Sequence, residues 1–154
     1  VDNYSPGEAE ETPETTTVED EARVIAELDR HEPHGLDEDF AYKRPVGFKL
    51  DGYAASDLRT WRRLYEHTCQ HLAERAPEHW AELPDADEGT SNRGNPYFSR
   101  DPDELRTPSE PVDGIYAEVH FSADDIAKRI RELLKYFDLE VGDYRVYLRE
   151  DRNA

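Results

Sequence analysis

Cysteine is almost absent from this chain. Cys69 stands alone in 154 residues, which excludes an internal disulfide and favours a reducing compartment. Long hydrophobic runs are absent too. No stretch approaches the roughly 18 apolar residues of a membrane helix, and the acidic N-terminal segment does not read as a signal peptide. These absences predict a soluble, cytoplasmic protein with no membrane partner. The sequence also lacks the HExxH and CxxC patterns that announce zinc chemistry. Lysine is scarce: Lys43, Lys49, Lys128 and Lys135 stand beside 15 arginines.

What the chain has in excess is carboxylate. It carries 37 Asp and Glu against 19 Lys and Arg, a net charge of −18. Residues 1–42 hold 14 acids and 2 arginines, or −12, and residues 43–154 carry the remaining −6. That asymmetry divides the chain into an acidic arm over residues 1–41 and a single domain over residues 42–150. High carboxylate with little lysine resembles proteins of salt-loving archaea, in which molar salt screens repulsion within about 3 Å and a dense carboxylate surface stays hydrated.

Residues 1–16 are rich in Pro, Gly, Glu and Thr, and such a segment buries too little apolar surface to offset its ordering entropy. Disorder is expected there. Val18, Ala22, Ile25 and Leu28 then recur at helical spacing behind Thr17 as a cap, so residues 18–30 predict a short helix that needs a docking surface. Val46, Phe48 and Leu50 alternate, Asp51-Gly52 is a two-residue hairpin turn, and Tyr53-Ala54-Ala55 returns. Ser56 is the expected cap of a helix whose apolar stripe includes Leu58, Trp61, Leu64 or Tyr65, Cys69 and Leu72. Pro77 starts a shorter helix through Trp80. Residues 85–114 read as a long irregular connection, anchored by Tyr97 and Phe98, with one helical turn at 101–106. Ile115 to Phe121 alternates as a strand, Ser122 caps a helix with a stripe from Ile126 to Phe137, and Tyr144, Val146 and Leu148 alternate as the last strand. The order predicts a two-layer α+β domain: a small, mostly antiparallel sheet of about three to four strands with two main helices on one face.

The blocks SRDPDELRTP (Ser99–Pro108) and GIYAEVHFSADDI (Gly114–Ile126), with PVGFKLDGYAASDL before them and YRVYL after, resemble a small α+β domain of bacterial and archaeal proteins that often lies near restriction–modification genes. The similarity spans about 100 residues. It implies a compact domain in a nucleic-acid-related neighbourhood and no assigned activity.

Four sets of side chains are candidates for chemistry. His67 and His71 lie one helical turn apart and could share a metal ion, or be solvated surface histidines. Asp113, Glu118 and His120 approximate an acid followed by a strand-borne Glu-x-Lys, the arrangement that binds Mg²⁺ in one class of nucleases, with His in place of Lys. Cys69 falls in an apolar stripe, where a buried thiol is the plainer reading than a nucleophile. Arg59, Arg62 and Arg63 on the first long helix, with Arg93, Arg100 and Arg106 in the connection and Lys128, Arg129, Arg131 and Lys135 on the last helix, could meet phosphates if they converge. Otherwise they pair along their own helices, as Arg62–Glu66 and Lys128–Glu132. The leading expectation is a monomeric, non-catalytic interaction module without a cofactor, partnered by protein or nucleic acid through Arg59, Arg62, Arg63, Arg100 and Arg106. The alternative is a metal-dependent hydrolase or nuclease using Asp113, Glu118 and His120.

Overall fold

A computed structural model describes residues 18–91 and 93–149, with backbone alone for 18–22. The expected disorder of 1–16, the Thr17 cap and the polar end after 149 lie outside the described residues. Within them, four helices and two antiparallel sheets form an α+β fold. The helices are α1 (Val18–Leu28), α2 (Trp61–Arg75), α3 (Pro77–Glu82) and α4 (Ala123–Tyr136). The strands are β1 (Pro33–His34), β2 (Pro45–Leu50), β3 (Tyr53–Ser56), β4 (Phe98–Ser99), β5 (Pro108–Val112), β6 (Ile115–Glu118) and β7 (Tyr144–Leu148).

The first sheet runs β1-β7-β2-β3 and the second β4-β6-β5. Where one sheet was expected there are therefore two, and the second is built largely from the stretch read as irregular. Its signal is faint for a physical reason. The β4 strand is two residues long, and β5 contains Pro108 and Pro111, which strands accept at sheet edges because proline donates no hydrogen bond. The predicted turn near 101 forms as a 3₁₀ turn, Pro102–Glu104, with the Asp101 side chain accepting from the Asp103 N–H.

The β2–β3 hairpin closes through Asp51 (φ 46°) and Gly52 (φ 88°), two left-handed residues as a type I′ turn requires. Phe48, Leu50, Tyr144 and Val146 turn one face of this sheet into the core, where the Phe48 and Tyr144 rings stack 5.0 Å apart. Val46 departs from the expected alternation: a register shift between Pro45 and Gly47 leaves it half-buried, and its carbonyl accepts from the Leu58 N–H instead. The opposite face is covered by α1. Leu28 is fully buried there, lying over Gly47, where an added Cβ would come within 2.8 Å of Leu28 Cδ2 and 2.2 Å of the Ala55 carbonyl oxygen. Asp29 and Lys49 pair beside it.

The helix after the hairpin starts later than expected. Thr60, not Ser56, is its N-cap, its hydroxyl accepting from the Arg63 N–H at 3.1 Å. Ser56 is spent on the end of β3, and Leu58 reaches the core from the intervening turn. Leu64, Tyr65, Thr68, Cys69 and Leu72 bury one face of α2. Helix α4 follows its expected pattern: Ser122 caps it by accepting from the Asp125 N–H, and Ile126, Ile130, Leu133 and Leu134 are buried. Leu36 and Phe40, from the segment assigned to the acidic arm, sit in the same core cluster as α2, α4 and both sheets.

Candidate nucleic-acid interface

Of the residues of the nuclease-like reading, Glu118 and His120 line one cleft and Asp113 lies apart from them. Asp113 is exposed in the turn between β5 and β6, and Glu118 closes the far end of β6. The strand alone separates them by about 10 Å. Glu118 is buried, and its carboxylate is already occupied. It accepts from the backbone N–H of Arg106 at 2.6 Å, of Thr107 at 3.1 and 3.3 Å, and of His120 at 3.0 Å. A buried carboxylate needs such donors to offset lost hydration. Here they hook the loop before β5 onto the end of β6, so the role of Glu118 is to shape the loop. His120 is exposed beyond it.

The two helical histidines also find structural surroundings. The His71 ring lies flat on Tyr53, centroids 4.0 Å apart. Burial and the nearby Arg75 charge hold His71 below the usual histidine range, and burial and Arg63 do the same for His67. Among the described residues no group of three or more His, Cys, Asp or Glu side chains is arranged to hold a metal ion. Cys69 is fully buried, and burial pushes its thiol well up, away from the thiolate a nucleophile requires.

The arginines divide. Arg100 is turned away to the Ala81 carbonyl at 2.8 Å and Asp85 at 3.2 Å. Arg62 pairs with Glu66 at 3.1 Å as its spacing predicted, whereas Glu132 faces Lys135 at 3.9 Å rather than Lys128. Arg63 is exposed on the first turn of α2. Arg62 and Arg106 line two different clefts that share a wall. A cleft of about 490 Å³ is lined by Arg62, Thr107 and Ser122, and a neighbouring cleft of about 580 Å³ by Arg93, Arg106 and Tyr97. His120 and Phe121 line both and form the wall between them. The Arg129 guanidinium lies 4.1 Å from the Tyr97 ring centroid, a cation–π contact that backs the second cleft. Tyr97 in turn meets Phe121 edge-on at 5.8 Å.

Arg59 lines a third cleft, of about 310 Å³, with Tyr42, Lys43, Arg44 and Trp61. Sequence reading passed over Tyr42, although its neighbours Lys43, Arg44 and Pro45 form a short basic cluster beside an aromatic residue. Across the three clefts, six basic and three acidic residues face the openings. The chain as a whole has 19 basic and 37 acidic residues; the basic surplus of the clefts lies in the third, with Lys43, Arg44 and Arg59, while Arg62, Arg93 and Arg106 of the paired clefts face Glu104, Glu118 and Asp125. Of the three acids, Glu118 is held by backbone N–H groups and Glu104 by the Ser99 hydroxyl; of the six cations, Arg59 pairs with Asp57 at 3.4 Å and Arg62 with Glu66 at 3.1 Å.

Comparison with known proteins finds no family model, no curated protein and no solved structure that matches the chain. No helix among the described residues is long and apolar enough to cross a membrane.

Proposed function

We propose that the chain is a non-catalytic accessory module that binds a phosphate-bearing partner, nucleic acid foremost, through the paired clefts on either side of His120 and Phe121. The observation that supports this reading is the arginine content of the linings: three arginines face three carboxylates there, in a chain of 19 basic and 37 acidic residues. Arg62, Arg93 and Arg106 border them, and of the three carboxylates there Glu118 has its oxygens turned to backbone N–H groups. Arginine suits such a role because its planar fork matches phosphate oxygens. The module acts as a monomer in a cytoplasm of high salt, which its carboxylate-rich composition suits. The small α+β domain it resembles, with its restriction–modification neighbourhoods, fits the same partner class.

The test is equilibrium binding of labelled oligonucleotides over a salt series, with the Arg62→Ala/Arg106→Ala double variant beside the natural chain. Affinity should fall with rising salt and drop at least tenfold in the variant. Absence of binding at every salt concentration removes nucleic acid as a direct partner. Titration with Mg²⁺, Mn²⁺ and Zn²⁺ followed by NMR should leave Glu118 and His120 unmoved; specific shifts there would sink the non-catalytic reading in favour of a metal-dependent hydrolase.

A further inference from the structure

Tyr42 is the most conspicuous side chain that the core does not explain. It is 106% exposed, and its backbone is left-handed at φ 66°. A bulky residue in that region costs on the order of 1 kcal/mol or more and persists only where the surroundings impose it. They do so here. Phe40 is buried in the core, the Lys43 N–H donates to the Phe40 carbonyl at 3.1 Å, and the Trp61 indole N–H donates to the Lys43 carbonyl at 2.8 Å. On the far side of Tyr42, the Arg149 N–H donates to the Arg44 carbonyl at 2.8 Å. The fold thus holds an aromatic ring out in water beside Lys43, Arg44 and Arg59, where it adds nothing to packing.

This cleft is connected to the paired clefts through the start of α2. Arg59, Thr60 and Trp61 line it, and Arg62, the next residue of α2, lines the first of the pair. The Phe40 N–H also donates to Asp124 Oδ1 at 2.8 Å, fastening the Tyr42 loop to the start of α4, whose Ser122 and Asp125 line that same cleft. The linings are thus linked through α2 and the loop it holds: Tyr42, Lys43, Arg44 and Arg59 in this cleft, Arg62 in the first of the pair, His120 and Phe121 in both of the pair, and Arg93 and Arg106 in the second.

We infer that the three clefts form one track for a single-stranded nucleic acid, with Tyr42 stacking a base and Lys43, Arg44 and Arg59 meeting the flanking phosphates. The inference rests on the reading of the paired clefts as a phosphate-binding surface and extends it to a ligand class. Single strands are favoured over duplex because an exposed ring can stack only on a base whose face is free. A basic groove interleaved with aromatic side chains is the general physical means of holding such a strand without reading its sequence.

The test compares fluorescence anisotropy of a labelled oligothymidylate of about twelve nucleotides, within the range of known single-strand site sizes, for the natural chain, Tyr42→Phe and Tyr42→Asn. Asparagine tolerates the left-handed backbone and lacks the ring, so the fold should survive, which circular dichroism checks. Tyr42→Phe should bind as the natural chain does, and Tyr42→Asn about fivefold or more weakly, in line with the loss of one stacked base. Binding should also quench Trp61, the half-exposed tryptophan of this cleft, and spare the buried Trp80. If Tyr42→Asn binds undiminished while Arg62→Ala/Arg106→Ala weakens, the track is wrong and the paired clefts stand alone. A duplex of equal length that binds as tightly overturns the single-strand assignment. No binding by any oligonucleotide removes both proposals.

Discussion

At the scale of single residues, the decisive difference between pattern and structure is Glu118. Alternation along Ile115–Phe121 sets it on the outer face of a strand with His120, and an exposed Glu-x-His reads as a metal ligand pair. Its burial comes from residues 106 and 107, which return over the strand end and present their N–H groups to it. That return depends on a contact between residues 11 or 12 apart, which no local pattern encodes. Glu118→Gln keeps the size but points an NH₂ group at backbone donors, so at least one buried N–H loses its acceptor. The loss should be about 1–3 kcal/mol in urea unfolding, whereas Asp113→Asn, in an exposed turn, should stay within about 0.5 kcal/mol. Equal effects at the two positions would contradict the structural role of Glu118. The histidines of α2 give a second residue-level expectation. Burial holds His67 and His71 below their ordinary range, so the unfolded chain binds protons more readily than the folded one. Their contribution is full above the unfolded value of about 6.5 and is lost as pH falls from there towards the lower folded values. Unfolding free energy should therefore decline on acidification in that window, and more shallowly in His71→Gln than in the natural chain.

At the scale of elements, legibility followed the strength of the local period. Helix α4 was readable in full because a capping serine and five stripe residues agree, and the β2–β3 hairpin because Asp51-Gly52 is a strong turn signal. The edge strands β4 and β5 were not, being too short or too rich in proline for alternation to register. Helix α1 is the intermediate case. Its stripe foretold an apolar face that needs cover, and the cover is the outer face of the first sheet. What makes that docking tight is Gly47, whose missing side chain leaves the space that Leu28 fills. Sequence shows the glycine within a strand but not what approaches it. Leu28→Ala should cost about 2–5 kcal/mol if α1 and the sheet unfold together. Native-state hydrogen exchange distinguishes the alternatives: faster exchange confined to α1 means that the helix undocks by itself, and uniform acceleration means that it belongs to the cooperative core. The buried positions of Leu36 and Phe40, just after α1, favour the uniform outcome. The clefts belong to this scale as well, because each is a junction of elements far apart in sequence. Arg62 and Arg106 could be named from the chain, yet only the packing of α2 beside β5 and the start of α4 separates them from Arg100.

At the scale of the whole molecule, two opposite electrostatic tendencies coexist. The net charge of −18 opposes compaction by self-repulsion, and salt relieves it as the screening length shrinks from about 10 Å at 0.1 M to about 3 Å at 1 M. The clefts gather six basic residues, with a surplus at the third, and salt weakens whatever phosphate they attract through counterion release. Stability and nucleic-acid affinity should accordingly respond to KCl in opposite directions. The melting temperature should climb between about 0.1 and 1 M KCl, the range over which screening tightens most. The logarithm of affinity should fall against the logarithm of salt concentration, with a slope no steeper than about −4 if all six cleft cations meet single-strand phosphates. A steeper slope would mean that basic residues outside the clefts take part. A slope near zero would mean that charge does not hold the strand. A melting temperature that falls with KCl would show that the carboxylates are stabilised by close pairing with arginines rather than strained by mutual repulsion. Measuring both quantities on one sample separates the two effects, since no single charge property of the chain can produce a rise in one and a fall in the other.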